Sequence, residues 1–393
     1  MRIGLLGCGI VGSGVYDIIT DKMSPMVKNF EIAKVLVKTP EEITKPNMTN
    51  NVEDIFSDPS IDTVVEAMGG IHPAYEFITR ALKAGKNVVT ANKAVVAKHI
   101  DEFTELAKSN NAVFLYEASV GGGVPWIKSL RQAMRIDEVT HISGVFNGTT
   151  NLILSEMEEK ELSFDECLKT AQKMGYAEAD PTADIDGIDV RNKLIISTSI
   201  ATGKKVLAEE IMTYGIRSVS ECDFEYFKSL NKNLRLFAEA VIDDGRYCCR
   251  IEPTLFNKDE PEAGIKLNYN ICSLYGRTIG TLKYIGQGAG KFPTANAIVQ
   301  DLIDIDTKNT TLPEIKFDGN AECAMNLLDG RYYVRYSDSV AEKIEKAFED
   351  INTSSVSVKG AKAFITEQIP TITLHDKIES ASVDMNSIFV ARI

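Results

Sequence analysis

Short, almost wholly apolar runs alternate with amphipathic stretches over residues 1–125. Ile3–Leu6, Ile32–Val37, Thr63–Ala67, Asn87–Thr90 and Val113–Tyr116 are predicted strands. They lack polar/apolar alternation, as a parallel sheet covered on both faces requires. Between them, Phe77, Ala81 and Leu82 share a helical face that ends at Gly85. Phe103, Leu106 and Ala107 do the same before Ser109-Asn110-Asn111. This βα alternation predicts an α/β domain.

The pattern changes further along. Val139–Phe146 and Tyr247–Leu255 read as longer strands, and Leu162–Met174 and Ile188–Ala201 as long helices, which predicts a second, α+β unit with its own sheet. Gly286-Gln287-Gly288-Ala289-Gly290 leads into an apolar helix over Thr294–Ile305. After Leu312-Pro313 comes a strand at Arg331–Tyr336. Ser339-Val340-Ala341-Glu342 then has capping-box spacing, opening a helix with Val340, Ile344, Ala347, Phe348 and Ile351 on its apolar face. Strands at Ser355–Val358, Phe364–Gln368, Thr371–Leu374 and Ile388–Arg392 follow. The expected organisation is a dinucleotide-binding domain over 1–130 with a returning helix at 294–310, a substrate and dimerisation domain over 131–293, and a small βαβ-like third domain over 325–393.

Composition narrows the function. The chain has 393 residues, 44% of them hydrophobic, enough to bury two or three cores. A net charge of −13 repels phosphate backbones, so nucleic acid is not an expected partner. No apolar run reaches the ~18 residues of a membrane span, so no membrane partner is expected. The chain opens directly on strand pattern, without a basic segment and apolar leader, which leads to the expectation of a cytoplasmic protein. Seven cysteines without a C-x-x-C pair and four scattered histidines predict reduced thiols and neither a disulfide framework nor a zinc site.

Gly7-Cys8-Gly9-Ile10-Val11-Gly12 fits G-x-G-x-x-G, directly after a predicted strand and opening a helix. In that context Gly7 permits the tight turn, Gly9 lets backbone approach a pyrophosphate, and Gly12 allows close helix–strand packing. This is the fingerprint of a Rossmann-type nicotinamide dinucleotide domain. At the end of the second strand an acid would take the ribose 2′-hydroxyl of NAD. Val37-Lys38-Thr39 offers none, and Lys38 suits the 2′-phosphate of NADP. If Lys38 is only a solvated surface lysine, NAD remains open. Thr90-Ala91-Asn92-Lys93 ends another strand at the carboxyl edge of the sheet, where ligands of such folds sit. Residues 178–189 hold five carboxylates: Glu178, Asp180, Asp184, Asp186 and Asp189. The spacing is not that of a calcium loop. Asp189 and Lys193 are four apart on a predicted helix and share a face, so the carboxylate can aim a charged lysine that donates a proton. The plainer alternative is an acidic helix-entry loop with a solvated ion pair.

Phe146-Asn147-Gly148-Thr149-Thr150-Asn151-Leu152-Ile153-Leu154, the run from Gly175 to Lys193, and Gly288-Ala289-Gly290 with Pro293-Thr294-Ala295 resemble homoserine dehydrogenases, in that family's order. With the N-terminal glycines, Thr90–Lys93 and Glu117-Ala118-Ser119-Val120-Gly121-Gly122-Gly123, the likeness spans residues 1–310. It implies interconversion of L-aspartate 4-semialdehyde and L-homoserine with NAD(P)H. It implies Lys193 as proton donor and acceptor, Lys93 assisting near the cofactor and Asp189 orienting Lys193. Glu178 and Asp184 would hold the substrate ammonium, with Tyr176, Gly148 and Thr149 near its carboxylate. Gly7, Gly9, Ile10, Val11, Gly12, Lys38, Met68, Thr90, Lys93 and Gly290 would contact the cofactor. Glu117 with the carbonyls of Val120, Gly122 and Val124 resembles the family's monovalent-cation site, for sodium or potassium. A homodimer is implied, or a larger assembly through the C-terminal unit, which looks like an amino-acid-sensing ACT domain. That module's pattern carries Pro-Gly between the first strand and helix. Ser337-Asp338-Ser339-Val340 lacks it, so weak threonine inhibition is expected. Because all the assigned motifs lie before residue 310, a chain ending near Leu312 is expected to stay active. The alternatives are another NAD(P)-dependent amino-acid or semialdehyde dehydrogenase, and a non-catalytic dinucleotide sensor, which would need neither Lys193 nor Asp189.

Overall fold

The computed structural model describes residues 1–309, 315 and 317–393. They form two compact units, one of residues 1–138, 199–205 and 284–319, the other of 139–198, 206–283 and 320–393.

The first unit holds a parallel sheet of β1 (Arg2–Leu6), β2 (Glu31–Leu36), β3 (Met48–Thr49), β4 (Thr63–Glu66), β5 (Asn87–Thr90) and β6 (Phe114–Leu115), in the order β3-β2-β1-β4-β5-β6. This is the doubly wound order, with its switch point beside β1. Ile3, Leu5, Val64, Val65, Val88 and Val89 are wholly buried, which accounts for the missing alternation in their strands. The helix Ile10–Thr20 contributes Val15, Ile18 and Ile19 to this core. The returning helix Lys291–Asp306 contributes Ala295, Ile298 and Leu302. Each such valine, leucine or isoleucine side chain, fully buried, is worth about 1.5–3 kcal/mol. The two helices meet at Gly14, where a Cβ would lie 2.7 Å from the Lys291 carbonyl oxygen. The expected chain break at Leu312-Pro313 lies outside the described residues.

The second unit is built on β7 (Val139–Val145), β8 (Met212–Thr213), β9 (Lys232–Asp243), β10 (Arg246–Asn257), β11 (Tyr269–Gly276), β12 (Gly280–Gln287), β13 (Glu322–Cys323), β14 (Asp329–Gly330), β15 (Tyr332–Tyr336), β16 (Thr353–Val358), β17 (Ala361–Thr366), β18 (Ile369–Pro370) and β19 (Ile388–Arg392). Its main sheet runs β12-β11-β7-β9-β10-β19-β15-β17-β16, with β8 and β13 also pairing with β10. β14 and β18 form a separate pair. β9 and β10 form a twelve-rung antiparallel hairpin closed by Asp244-Gly245, both with positive φ (49° and 73°), the turn whose twist suits a hairpin.

Three expectations are corrected here. The first concerns the C-terminal strands, expected as a separate third body. They continue the same sheet, β19 joining β10 at Thr254 and Arg392. Within this segment the order is β15, helix Ala341–Ala347, β16, β17, helix Thr371–Ala381, β19. Neighbouring strands are antiparallel in the sequence fourth-first-third-second, a split βαβ topology. Secondly, Thr371–Leu374 is helix, not strand. Pro370 precedes it, and Thr371, Leu374, Ile378 and Ala381 are the buried positions, spaced three and four apart. Thirdly, the Ser339 capping box does not form. A 3-10 turn, Asp338–Val340, precedes the helix, and the Ser339 hydroxyl bonds the Ser337 hydroxyl at 2.7 Å.

Candidate active site

In the first unit the phosphate-binding turn has the geometry its glycines require. Gly7 has φ +95°, and a Cβ on Gly12 would lie 2.1 Å from the Gly7 carbonyl oxygen. Gly9, by contrast, has no atom within 4 Å of where a Cβ would be. It stands just before the helix Ile10–Thr20, whose first N–H groups lack intrahelical partners. Ile10 is 71% exposed at that opening, with Val11 half-buried behind it. Met68 crowds the turn, its Cγ 3.0 Å from a Gly7 Cβ position. At the carboxyl end of β4, the buried Glu66 accepts from Thr90 Oγ1 (2.5 Å) and from the Met68 amide (2.8 Å). Burial pushes its carboxyl up, against these bonds. Thr90 in turn accepts from the Asn92 amide, and Asn92 caps the helix that Lys93 begins. Gly290, with φ +132°, precedes the returning helix.

Lys38 is exposed, and its amide donates to Glu42 Oε2 at 3.2 Å. An acid therefore does stand at the end of β2, brought back by the 3-10 turn Pro40–Glu42. Reading only Val37–Thr39 missed it.

Glu117 is buried, and its carboxylate accepts from the amides of Ile127 (2.9 Å) and Lys128 (2.8 Å), the first turn of the helix Trp126–Ala133. The carboxyl thus caps a helix N-terminus. Burial and the neighbouring Asp301 push its carboxyl up. The Val124 carbonyl accepts from the Trp126 amide at 2.7 Å. Gly122 lies against Gly288, where a Cβ would come 2.4 Å from the Gly288 carbonyl oxygen.

The second unit gathers the candidate reacting groups. Asn147 follows β7 and caps the helix Gly148–Lys160 by accepting from the Thr150 amide (2.8 Å). Its amide nitrogen donates both to Asp184 Oδ1 (2.7 Å) and to Asp189 Oδ2 (2.9 Å). The same Asp189 oxygen accepts from Lys193 Nζ at 2.8 Å, and Lys193 also donates to the Phe146 carbonyl at 2.6 Å. The lysine side chain is 9% exposed and the aspartate 6%. A buried ion pair survives only when its remaining donors and acceptors are satisfied, and Asn147 and Phe146 do this. An ammonium has three donors. Two are aimed here by fixed acceptors, which sets the direction of the third. Asp184 is pushed up by burial and by Asp189, while the Asn147 bond holds it down. Thr149 donates to the Tyr176 carbonyl (2.7 Å), joining the helix start to the 176–189 loop. A Cβ at Gly148 would lie 3.1 Å from Asn268 Cα. Glu178 is not drawn into this cluster. It is exposed, and its carboxylate makes no hydrogen bond or ion pair among the described residues. The sequence reading omitted Asn147 as a site residue, although an Asn just before a helix start is a capping signal. It also missed Asn270, which donates to the Phe146 carbonyl from β11 and carries no local signal.

Residues 7–117 match the family model "Homoserine dehydrogenase, NAD binding domain", and residues 125–303 match "Homoserine dehydrogenase". A homoserine dehydrogenase of Synechocystis sp. is 42% identical over 316 residues, 78% of this chain and 73% of that protein. One of Bacillus subtilis is 35% identical, over 78% of this chain and 72% of its own length. The crystal structure of a homoserine dehydrogenase from Thiobacillus denitrificans superposes with a TM-score of 0.87 at 32% identity, covering 100% of this chain and 97% of that one. A hyperthermophilic archaeal homoserine dehydrogenase in complex with NADPH gives 0.69 at 25% identity, covering 79% of this chain and 99% of its own. The chain belongs to the homoserine dehydrogenase family.

Proposed function

We propose that the chain interconverts L-aspartate 4-semialdehyde and L-homoserine as an NAD(P)-dependent oxidoreductase, with Lys193 as the proton donor and acceptor. The observation that carries this is the buried lysine held by Asp189 and the Phe146 carbonyl, two of its three protons committed. When bound, reduced nicotinamide supplies a hydride to the aldehyde carbon. Lys193 then gives its third proton to the developing alkoxide, leaving an alcohol and a neutral amine that Asp189 still orients. In the reverse direction the amine takes the proton back. A positioned general acid contributes about 10²–10⁴-fold, and alignment of the partners about 7–11 kcal/mol. Asp184 meets the substrate ammonium, which lowers its raised pKa on binding. Glu178, exposed, joins it only if its loop moves inward. The amides of Gly148 and Thr149, at a helix N-terminus, suit the substrate carboxylate, and Tyr176 lies on the adjoining loop. Lys93 assists near the cofactor.

NADP is the preferred cofactor in this reading, with Lys38 meeting the 2′-phosphate, supported by the archaeal relative's complex with NADPH. Glu42 beside it keeps NAD usable. A sodium or potassium ion at Glu117, Val120, Gly122 and Val124 fits less well. The Glu117 carboxylate and the Val124 carbonyl already accept protein amides. Lys128 also supplies the local positive charge, at 3.2 Å from Asp301 and 2.6 Å from Asp304. The split βαβ segment serves as an ACT-like sensor or assembly surface in a cytoplasmic homodimer. The test is loss of the reduced-nicotinamide absorbance on adding aspartate semialdehyde, with NADPH and then NADH. Oxidation with NADPH at the higher kcat/KM supports the reading. No oxidation with either cofactor overturns it.

A further inference from the structure

We propose that Asn270 is a positioning residue for the proton transfer, acting on Lys193 through the Phe146 carbonyl. This rests on the reading of Lys193 as the acid. Phe146 directly follows β7, and Asn270 stands in the neighbouring strand β11, where Ile271 pairs with Val145. The Phe146 oxygen accepts from Lys193 Nζ at 2.6 Å and from Asn270 Nδ2 at 3.0 Å. A carbonyl has two lone pairs, so both are in use.

The Asn270 amide is 1% exposed, and its own oxygen finds no donor among the described residues. A buried orphan acceptor is unfavourable, so the side chain is not there for general packing. Turning the amide over would set its oxygen against the Phe146 oxygen, two acceptors facing each other. The observed orientation is therefore the one that donates to the carbonyl. Two consequences follow. The carbonyl is tied from a second strand, so one of the two anchors that aim the Lys193 ammonium cannot swing. The tie is also neutral, adding no charge that would hold the lysine proton more firmly.

Full-length Asn270→Leu and Asn270→Asp, with Lys193→Ala as reference, separate this from a structural role. Misplacing a reacting group costs far more than binding, so Asn270→Leu is expected to lower kcat at least ~10-fold with KM for NADPH unchanged. Asn270→Asp, once ionised, sets a carboxylate oxygen against the Phe146 oxygen in place of the donor, so it too is expected to lower kcat. KM for NADPH is again expected to stay unchanged. If Asn270→Leu does not fold, the near-isosteric Asp variant decides alone. Wild-type kcat in the Asn270 variants, beside an inactive Lys193→Ala, would overturn the Asn270 role and leave Lys193 intact. An active Lys193→Ala would instead remove the reading of Lys193, and the Asn270 proposal with it.

Discussion

Gly9 and Gly12 sit three residues apart in one motif, yet their replacement by alanine should fail in different ways. At Gly12 a Cβ would lie 2.1 Å from the Gly7 carbonyl oxygen and 2.9 Å from its carbon. Ordinary carbon–oxygen contacts begin near 3.3 Å, so helix or turn must retreat by about 1 Å. Val15, Ile18 and Ile19 of that helix are buried in the core and must move with it. Overpacking of this kind costs about 1–3 kcal/mol. In a unit of this size that is a melting point lower by roughly 2–4 °C per kcal/mol. At Gly9 there is open space, and its φ of −69° is open to residues other than glycine. The protein without cofactor should melt as wild type. The methyl group then occupies the approach to the helix N-terminus, and NADPH should bind at least ~10-fold more weakly, about 1.4 kcal/mol. Thermal melts without nucleotide and fluorescence titration with NADPH read the two effects separately. If Gly9→Ala binds NADPH with the wild-type Kd, the pyrophosphate does not lie over Gly9 and the reasoning fails.

Lys38→Asp should move preference from NADPH towards NADH, since a second carboxylate beside Glu42 repels a 2′-phosphate; an unchanged ratio of kcat/KM would show that Lys38 does not meet the ribose. Ending the chain at Lys308 should give insoluble protein, contrary to the expectation from sequence. It removes Tyr333 and Arg335 from the buried Asp223, and Arg392 from Glu252. Breaking one such buried pair costs about 3–5 kcal/mol. A soluble, active truncated chain would refute this. His375 is stacked 4.3 Å from Tyr214, and burial lowers its pKa from 6.5 to about 4. The unfolded chain therefore takes up the proton first as pH falls. Stability should drop by up to about 3 kcal/mol between pH 6.5 and 4. His375→Phe should flatten that part of the curve, and an unaltered acid limb in denaturant titrations would contradict the assignment.

The first unit was legible because its strands are buried on both faces and Gly7 and Gly12 meet steric demands that no other residue satisfies. Lys193 and Asp189 were legible for a similar reason, since a four-residue spacing on a helix is a geometric statement. β9 was missed although Asp244-Gly245 is a hairpin signal, because Lys232–Asp243 mixes charged and apolar residues. Arg235 in that strand is buried and Glu239 partly buried, each held by partners outside the strand: Arg235 by the Ile265 carbonyl, Glu239 by Arg250 and His141. Asn270 could not be found from its neighbours, since its meaning comes from a carbonyl 124 residues away. Thr371–Leu374 misled because Thr-Ile-Thr-Leu alternates over four residues, too short a window to separate strand from helix.

The measurement that bears most directly on the central claim is the turnover of Lys193→Ala with NADPH and aspartate semialdehyde across pH, beside its NADPH affinity. With the buried ammonium gone, kcat should fall at least ~10²-fold while NADPH binds as in wild type. Turnover within tenfold of wild type at every pH would contradict Lys193 as the proton donor.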